Sequence, residues 1–318
     1  MKKSRINFIS WLVVFLFVSS PLAGENISFK ISYNTASVSK GDLNTWIDSY
    51  NALWKDGASM AAGQLDGQFN PIKYGPKYEV ELRIPILSGF ALNLSGCHFS
   101  SIAEGTVSFI HETSNQTETD HIRNEVKGYP IKIGLSYTPP LSLLENLHVF
   151  AGIGRHITFI NFKSSGDFYA ELKDINGDFT YSFKRDYDSN SEALGFYATL
   201  GVEYDIIKHI AIVAEAEKVW SKADGFKGQL NEEHIETNPG EGPKITYEES
   251  DKASLYFYEY KRGGDSKYYS YFRGNKEKPD IPKFYPRYPR GITDIKNIRQ
   301  GELDLSTFSI KIGIRFKF

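Results

Sequence analysis

Three groups of residues in this chain are of types that could do chemistry. The first is a set of charges at alternate positions inside otherwise apolar segments: Lys30, Glu79, Glu81, Arg83, Lys132, Glu203, Glu215, Glu217, Lys311, Arg315 and Lys317. Five acids face six bases. Such a set can pair if it is enclosed together, and it must, because an unpaired buried charge is strongly unfavourable. The second group is a basic, aromatic stretch near 255–299, typified by Tyr260, Arg262, Lys267, Tyr269, Tyr271, Arg273, Tyr285, Arg287 and Arg290. From Lys261 to Arg299 it holds eleven bases against four acids, a net charge of +7 in a chain that is otherwise near neutral. Cations beside planar rings suit anionic glycans or phosphates; the competing reading is strands whose rings pack on one another. The third group offers little. The seven histidines show no metal or triad spacing. A pairing of Asp120 with His98, His111 or His121 is the kind of match that arises by chance. Asp174, Asn176 and Asp178 have calcium-loop spacing but lack the downstream glutamate. No enzyme, metal or cofactor is expected.

The elements that must position these side chains alternate with period two. Ile27, Phe29, Ile31 and Tyr33 share one face of a segment, as do Tyr78, Val80, Leu82, Ile84 and Ile86. The same holds for segments starting at Phe90, Ile131, Leu147, Phe196 and Ile210, and for the run from Phe308 to Phe318. That makes eight strands. Asn176-Gly177 signals a hairpin, and ten strands follow if it joins the wall. Connections are short near Leu87–Gly89, Pro139–Pro140 and Asp205–Lys208. They are long from 36 to 77, 112 to 119, 163 to 192 and about 221 to 301. One long connection changes period: Leu43, Trp46, Ile47, Tyr50, Leu53 and Trp54 lie on one face of a helix, with Asp42 as its cap and Gly57 as its stop. The helix either lids the strands at a membrane surface or packs on neighbouring loops.

The first 24 residues carry Lys2, Lys3 and Arg5, then an apolar run from Phe8 to Val18, too short to span a bilayer. They read as a cleaved signal peptide. Beyond them no long apolar stretch follows, and mean hydropathy is −0.37. A helical membrane protein is excluded, but a strand-built one is not, because alternation averages out. Cys97 is the lone cysteine, so no internal disulfide can form.

Signal peptide, alternating strands and a final aromatic together resemble the small outer-membrane β-barrel proteins of Gram-negative bacteria, the OmpA/OmpX/OmpW-like class. The resemblance implies an all-β, antiparallel up-and-down transmembrane barrel over 25–318, most simply of eight strands. It also implies long extracellular loops, with the short helix among them. Phe316 and Phe318 would be read by the barrel-assembly machinery. Outer-membrane lipid and lipopolysaccharide would be the surroundings and an anionic glycan a candidate ligand; nucleic acid is not expected, and the protein would be a monomer. Function would be structural or surface-binding. A narrow channel for small solutes and a soluble secreted carbohydrate-binding protein are the alternatives. In a membrane barrel the apolar faces meet lipid and the charges point inward; in a soluble sandwich the faces are exchanged.

Overall fold

The computed structural model describes residues 27–38, 41–72, 77–112, 116–140, 146–174, 177–239, 242–262, 269–275 and 292–318. The expected signal peptide and Asn176 therefore lie outside the described residues, as do Gly263 and Gly264, where the sequence of 253–274 signals the turn of a second hairpin. Fourteen strands and one helix follow in order: β1 (Ser28–Val38), α1 (Asp42–Met60), β2 (Gly63–Gln68), β3 (Lys77–Leu87), β4 (Phe90–His111), β5 (Gln116–Tyr137), β6 (Leu147–Asp174), β7 (Gly177–Ile207), β8 (Ile210–Ala223), β9 (Lys227–Thr237), β10 (Lys244–Arg262), β11 (Tyr269–Asn275), β12 (Ile292–Gln300), β13 (Leu303–Asp304) and β14 (Thr307–Lys317).

All strands belong to one antiparallel sheet, and the pairing closes on itself. β1 pairs β3, and neighbours continue through β4, β5, β6, β7 and β8 to β14, which pairs β1 over its whole length. Each of the eight alternating segments of the sequence supplies one strand of this ring. The strand containing Phe308 to Phe316 thus has a partner on both sides, and neither of its edges is open. Tight turns at Ser88–Gly89 and Lys208–His209 close one end. Gly89 has φ 76°, which a side chain rarely adopts, so a glycine is needed there.

The connections at the other end differ from the loops expected from sequence. β4 to β7 run for 22, 22, 28 and 31 residues, far past the ring partners β1, β3, β8 and β14 of 11 to 14. Their excess length forms a second storey of sheet, and the ring is not even about one axis. β2 adds to β4, and β9 to the upper half of β7; β10 pairs β9 and is joined by β11 and β12. The expected loop at 221–301 is therefore largely strand. β6 and β7 pair with each other up to Asp174 and Gly177, and this pairing adds no ninth or tenth ring strand. Helix α1 is longer than expected. Gly41, not Asp42, sits at its cap, and it runs past Gly57 because that glycine needs no special conformation; Ala62 at φ 48° turns the chain.

Polarity inverts along the strands. On β5 the inward residues are Ser136 and Lys132 near the turn, then Val126 and Ile122 higher up. The outward face reads Tyr137, Leu135, Ile133, Ile131 and Tyr129, all exposed, and then Lys127, Glu125 and Arg123. β7 repeats it: outward Tyr204, Val202, Leu200, Phe196 and Leu194 give way to Glu192, Asn190, Asp188 and Asp186. The lower storey is polar inside and apolar outside; the upper storey is the reverse. Leu43, Trp46 and Ile47 of α1 join Phe99, Val126, Ile160 and Phe226 in the upper apolar core.

Candidate functional site

The interior of the lower storey brings the alternating charges together. Lys311 Nζ lies 2.7 Å from Glu79 and 2.7 Å from Glu217, with Glu215 at 3.9 Å. Lys132 reaches across from β5 to the same two glutamates, 2.6 Å from each. Lys30 bridges Glu81 at 3.0 Å and Glu215. Arg315 donates to Glu81 at 2.9 Å and to Glu203. Lys317 and Arg83 complete the chain at Glu203, at 2.7 and 3.7 Å. All eleven sequence-derived charges lie in one connected network.

Asp205 escaped the sequence reading and also belongs, taking Lys317 and His148 as partners. Its signal was available, since it shares the face of Glu203 two residues earlier. With Asp205 counted, six acids meet six bases.

Beside the charges, buried serines and asparagines line the lumen and two rings are laid on glycines. A Cβ at Gly134 would stand 2.3 Å from the Tyr197 hydroxyl, and one at Gly201 would stand 2.4 Å from the Phe150 ring. Both rings also meet the cations: Lys132 is 5.7 Å from the Tyr197 centroid, and Arg315 is 5.5 Å from that of Phe150. Lys311 and Glu79 are each 1% exposed and Arg315 is 2% exposed. Charges lining a water-filled pore would be wet; these are sealed. Chemically, the network can hold the ring in one register, but it presents no group to a solute.

The aromatic, basic stretch is spent on structure wherever it is described. Tyr260 and Tyr269 are buried and pack with Tyr258. Tyr269 donates to Asp56 of α1 at 3.1 Å, and Ser49 of α1 accepts from the Ser270 amide at 2.7 Å. Tyr271 lies 6.4 Å from Trp46, and Arg273 donates to Glu232 at 2.6 Å. These residues clamp the helix and leave no platform for a ligand. Lys267, Tyr285, Arg287, Arg290 and the Arg262 side chain lie outside the described residues. At the other end of the clamp, the Asp42 carboxylate accepts from both Arg299 amino groups and from the Glu302 amide at 2.9 Å.

Asp120 is not part of a histidine dyad. It points inward and is 4% exposed, whereas His121 next to it projects to the opposite face beside Thr106 and Glu104. Tyr50 donates to Asp120 at 2.6 Å. Burial pushes Asp120 up to about 6, against the opposing hydrogen bonds from Tyr50 and Trp54, with His121 and Asp167 as the nearest charges. An unfolded aspartate titrates near 3.9. Between about pH 4 and 6 the folded chain therefore holds a proton that the unfolded chain lacks, so stability falls as pH rises through that window. Asp120→Asn is expected to raise stability by up to ~3 kcal/mol at pH 8 and by little at pH 4. Denaturation midpoints at the two pH values measure this, and an equal gain at both would remove the charge as its cause. Close by, a cavity of about 10 Å³ is lined by Trp46, Tyr50, Phe69 and Asn124. It is the size of one water.

No protein-family model and no curated protein matches this chain. Among solved structures it is similar to the outer membrane protein OprG from Pseudomonas aeruginosa, with a TM-score of 0.41 and 11% identity over 93% of this chain and 97% of that one. It is also similar to the transport unit of the autotransporter AIDA-I from Escherichia coli, with a TM-score of 0.25 and 10% identity over 95% and 94% of the two chains. Likenesses this distant say nothing of ligand or activity.

Proposed function

We propose that the lower storey is an eight-stranded barrel spanning an outer membrane, and that it anchors the upper storey as a non-enzymatic, surface-exposed structural or binding module. The polarity inversion carries this reading. Lipid solvates apolar side chains and leaves ionic ones to pair inside, whereas water requires the reverse arrangement, as in the upper storey. Two outward bands of aromatics mark the edges of the apolar belt: Tyr33, Tyr78, Tyr129, Phe196, Trp220 and Phe308 above, and Phe90, Tyr137, Tyr204 and Phe318 below. On both β5 and β7 the bands stand eight residues apart. At ~3.3 Å per residue and a strand tilt near 40° that is about 20 Å of height, close to the ~25 Å apolar band of such barrels. Amphipathic rings prefer this interfacial depth.

Under this reading the export signal precedes the barrel, and Phe316 and Phe318 serve its assembly. The dry ionic interior argues for a sealed barrel, in keeping with eight strands leaving a lumen just wide enough for side chains. In planar bilayers the purified protein is expected to give no resolvable conductance steps. Steady steps of porin size would overturn the sealed reading and make the protein a channel.

A further inference from the structure

Several outward basic residues above the upper aromatic band have carboxylate partners: Lys127 lies 2.8 Å from Glu125, Arg123 2.8 Å from Glu104, Lys163 2.9 Å from Asp188 and Lys222 2.9 Å from Glu302. At the band itself stand Arg155 on β6 and Lys218 on β8, and among the described residues neither has a carboxylate within ion-pair distance. Arg155 has Ile133 beside it on β5 and Phe196 on β7, with Ile153 and Ile157 before and after it on its own face. Its guanidinium stacks 4.0 Å from the Phe196 centroid. Lys218 lies between Ala198 of β7 and Phe308 of β14. Trp220 pairs with Phe196, so the two cations flank one aromatic row, with the small Ala198 between them.

We infer that Arg155 and Lys218 form a lipid-phosphate site on the outer wall, at the edge of the belt that faces the upper storey. The inference rests on the membrane reading above. A cation walled by isoleucine and phenylalanine in lipid has no water or carboxylate to meet, and its long stem can carry the charge only as far as the headgroup layer. The anion available there is a phosphate. A stacked guanidinium offers it a planar pair of N–H donors, and the lysine adds a second point charge from the far side of Ala198. The ligand class is an anionic phospholipid headgroup or a phosphorylated glycolipid; both present the same phosphate oxygens.

Trp220 provides the readout. The full chain is reconstituted in phosphatidylcholine vesicles in which a minority of one lipid carries brominated acyl chains, and the quenching lost in Trp220→Phe is followed. Brominated phosphatidylcholine tests whether this wall meets acyl chains at all; absence of quenching there refutes the membrane reading itself. Brominated phosphatidylglycerol and a brominated phosphomonoester glycolipid are then compared with it at equal fraction. The expected result is an enrichment beside Trp220 of roughly fivefold over phosphatidylcholine for at least one anionic lipid. Which lipid is enriched identifies the source of the phosphate. In Arg155→Gln/Lys218→Gln the enrichment should fall to parity, while quenching by brominated phosphatidylcholine persists. Parity in the unsubstituted protein, or an enrichment that survives the double substitution, overturns the site.

Discussion

Replacing Lys311 with methionine is expected to destabilise the folded barrel by about 3–5 kcal/mol. The ammonium is held 2.7 Å from both Glu79 and Glu217 and 3.9 Å from Glu215, and it is 1% exposed. Methionine matches its length and fits the same space, so packing changes little. What changes is that three carboxylates lose a shared counter-ion where water cannot replace it. Lys132 still serves Glu79 and Glu217, which is why the loss is not larger. Urea titration of the refolded protein in vesicles, followed by its heat-modifiable mobility, measures the change.

The double variant Lys311→Met/Glu79→Gln separates charge from shape. Removing one acid with one base restores balance, so it should be more stable than Lys311→Met alone, with a coupling of about 0.5–3 kcal/mol. Purely additive losses would mean that the residues matter as fillers and that the ionic network is incidental. The polarity of the lumen would then need another cause.

The ring was legible because its inner and outer faces impose opposite demands on neighbouring residues, and a period-two strand writes both demands down. Ile310, Ile312 and Ile314 alternate with Lys311, Gly313 and Arg315, and that pattern alone identified β14. Orientation was harder. Alternation is the same whether Ile312 faces outward or into a dry core; only its 63% exposure beside the buried Lys311 separates the two. In the upper storey, the antiparallel pairing of β10 with β11 is the hairpin that the sequence of 253–274 signals. β9 is not legible in that way, because it carries Asn231, Glu232, Glu233 and His234 in a row and shows no clean alternation. The clamp on α1 depends on contacts more than two hundred residues apart, such as Tyr269 with Asp56, and no local pattern records these. Tyr197 was missed for another reason. It looks like a misplaced aromatic on the polar face until Gly134 and Gly154 on neighbouring strands make room for it.

The sharpest test of where this barrel sits is Leu200→Arg. Leu200 is 60% exposed on β7, four residues from Phe196 and four from Tyr204, with Ala151 and Ala216 as its lateral neighbours. If that wall faces acyl chains, the arginine stands at mid-belt, beyond comfortable reach of either headgroup layer, and should cost about 2–4 kcal/mol for folding into vesicles. Glu192→Arg is the control. It lies on the same face of the same strand, eight residues higher and past the aromatic band, where water is the solvent, and it should change stability by less than about 0.5 kcal/mol. Both substitutions place an arginine at an exposed outward position of the same strand, so strand propensity does not separate them; the solvent does. In a water-soluble protein the ranking would vanish, because an exposed leucine exchanged for arginine in water loses no more than an exposed glutamate does. Equal, small effects at the two positions would therefore place the isoleucines, leucines and aromatics of the lower storey in water, and the anchor role with its phosphate site would fall with the bilayer that both require.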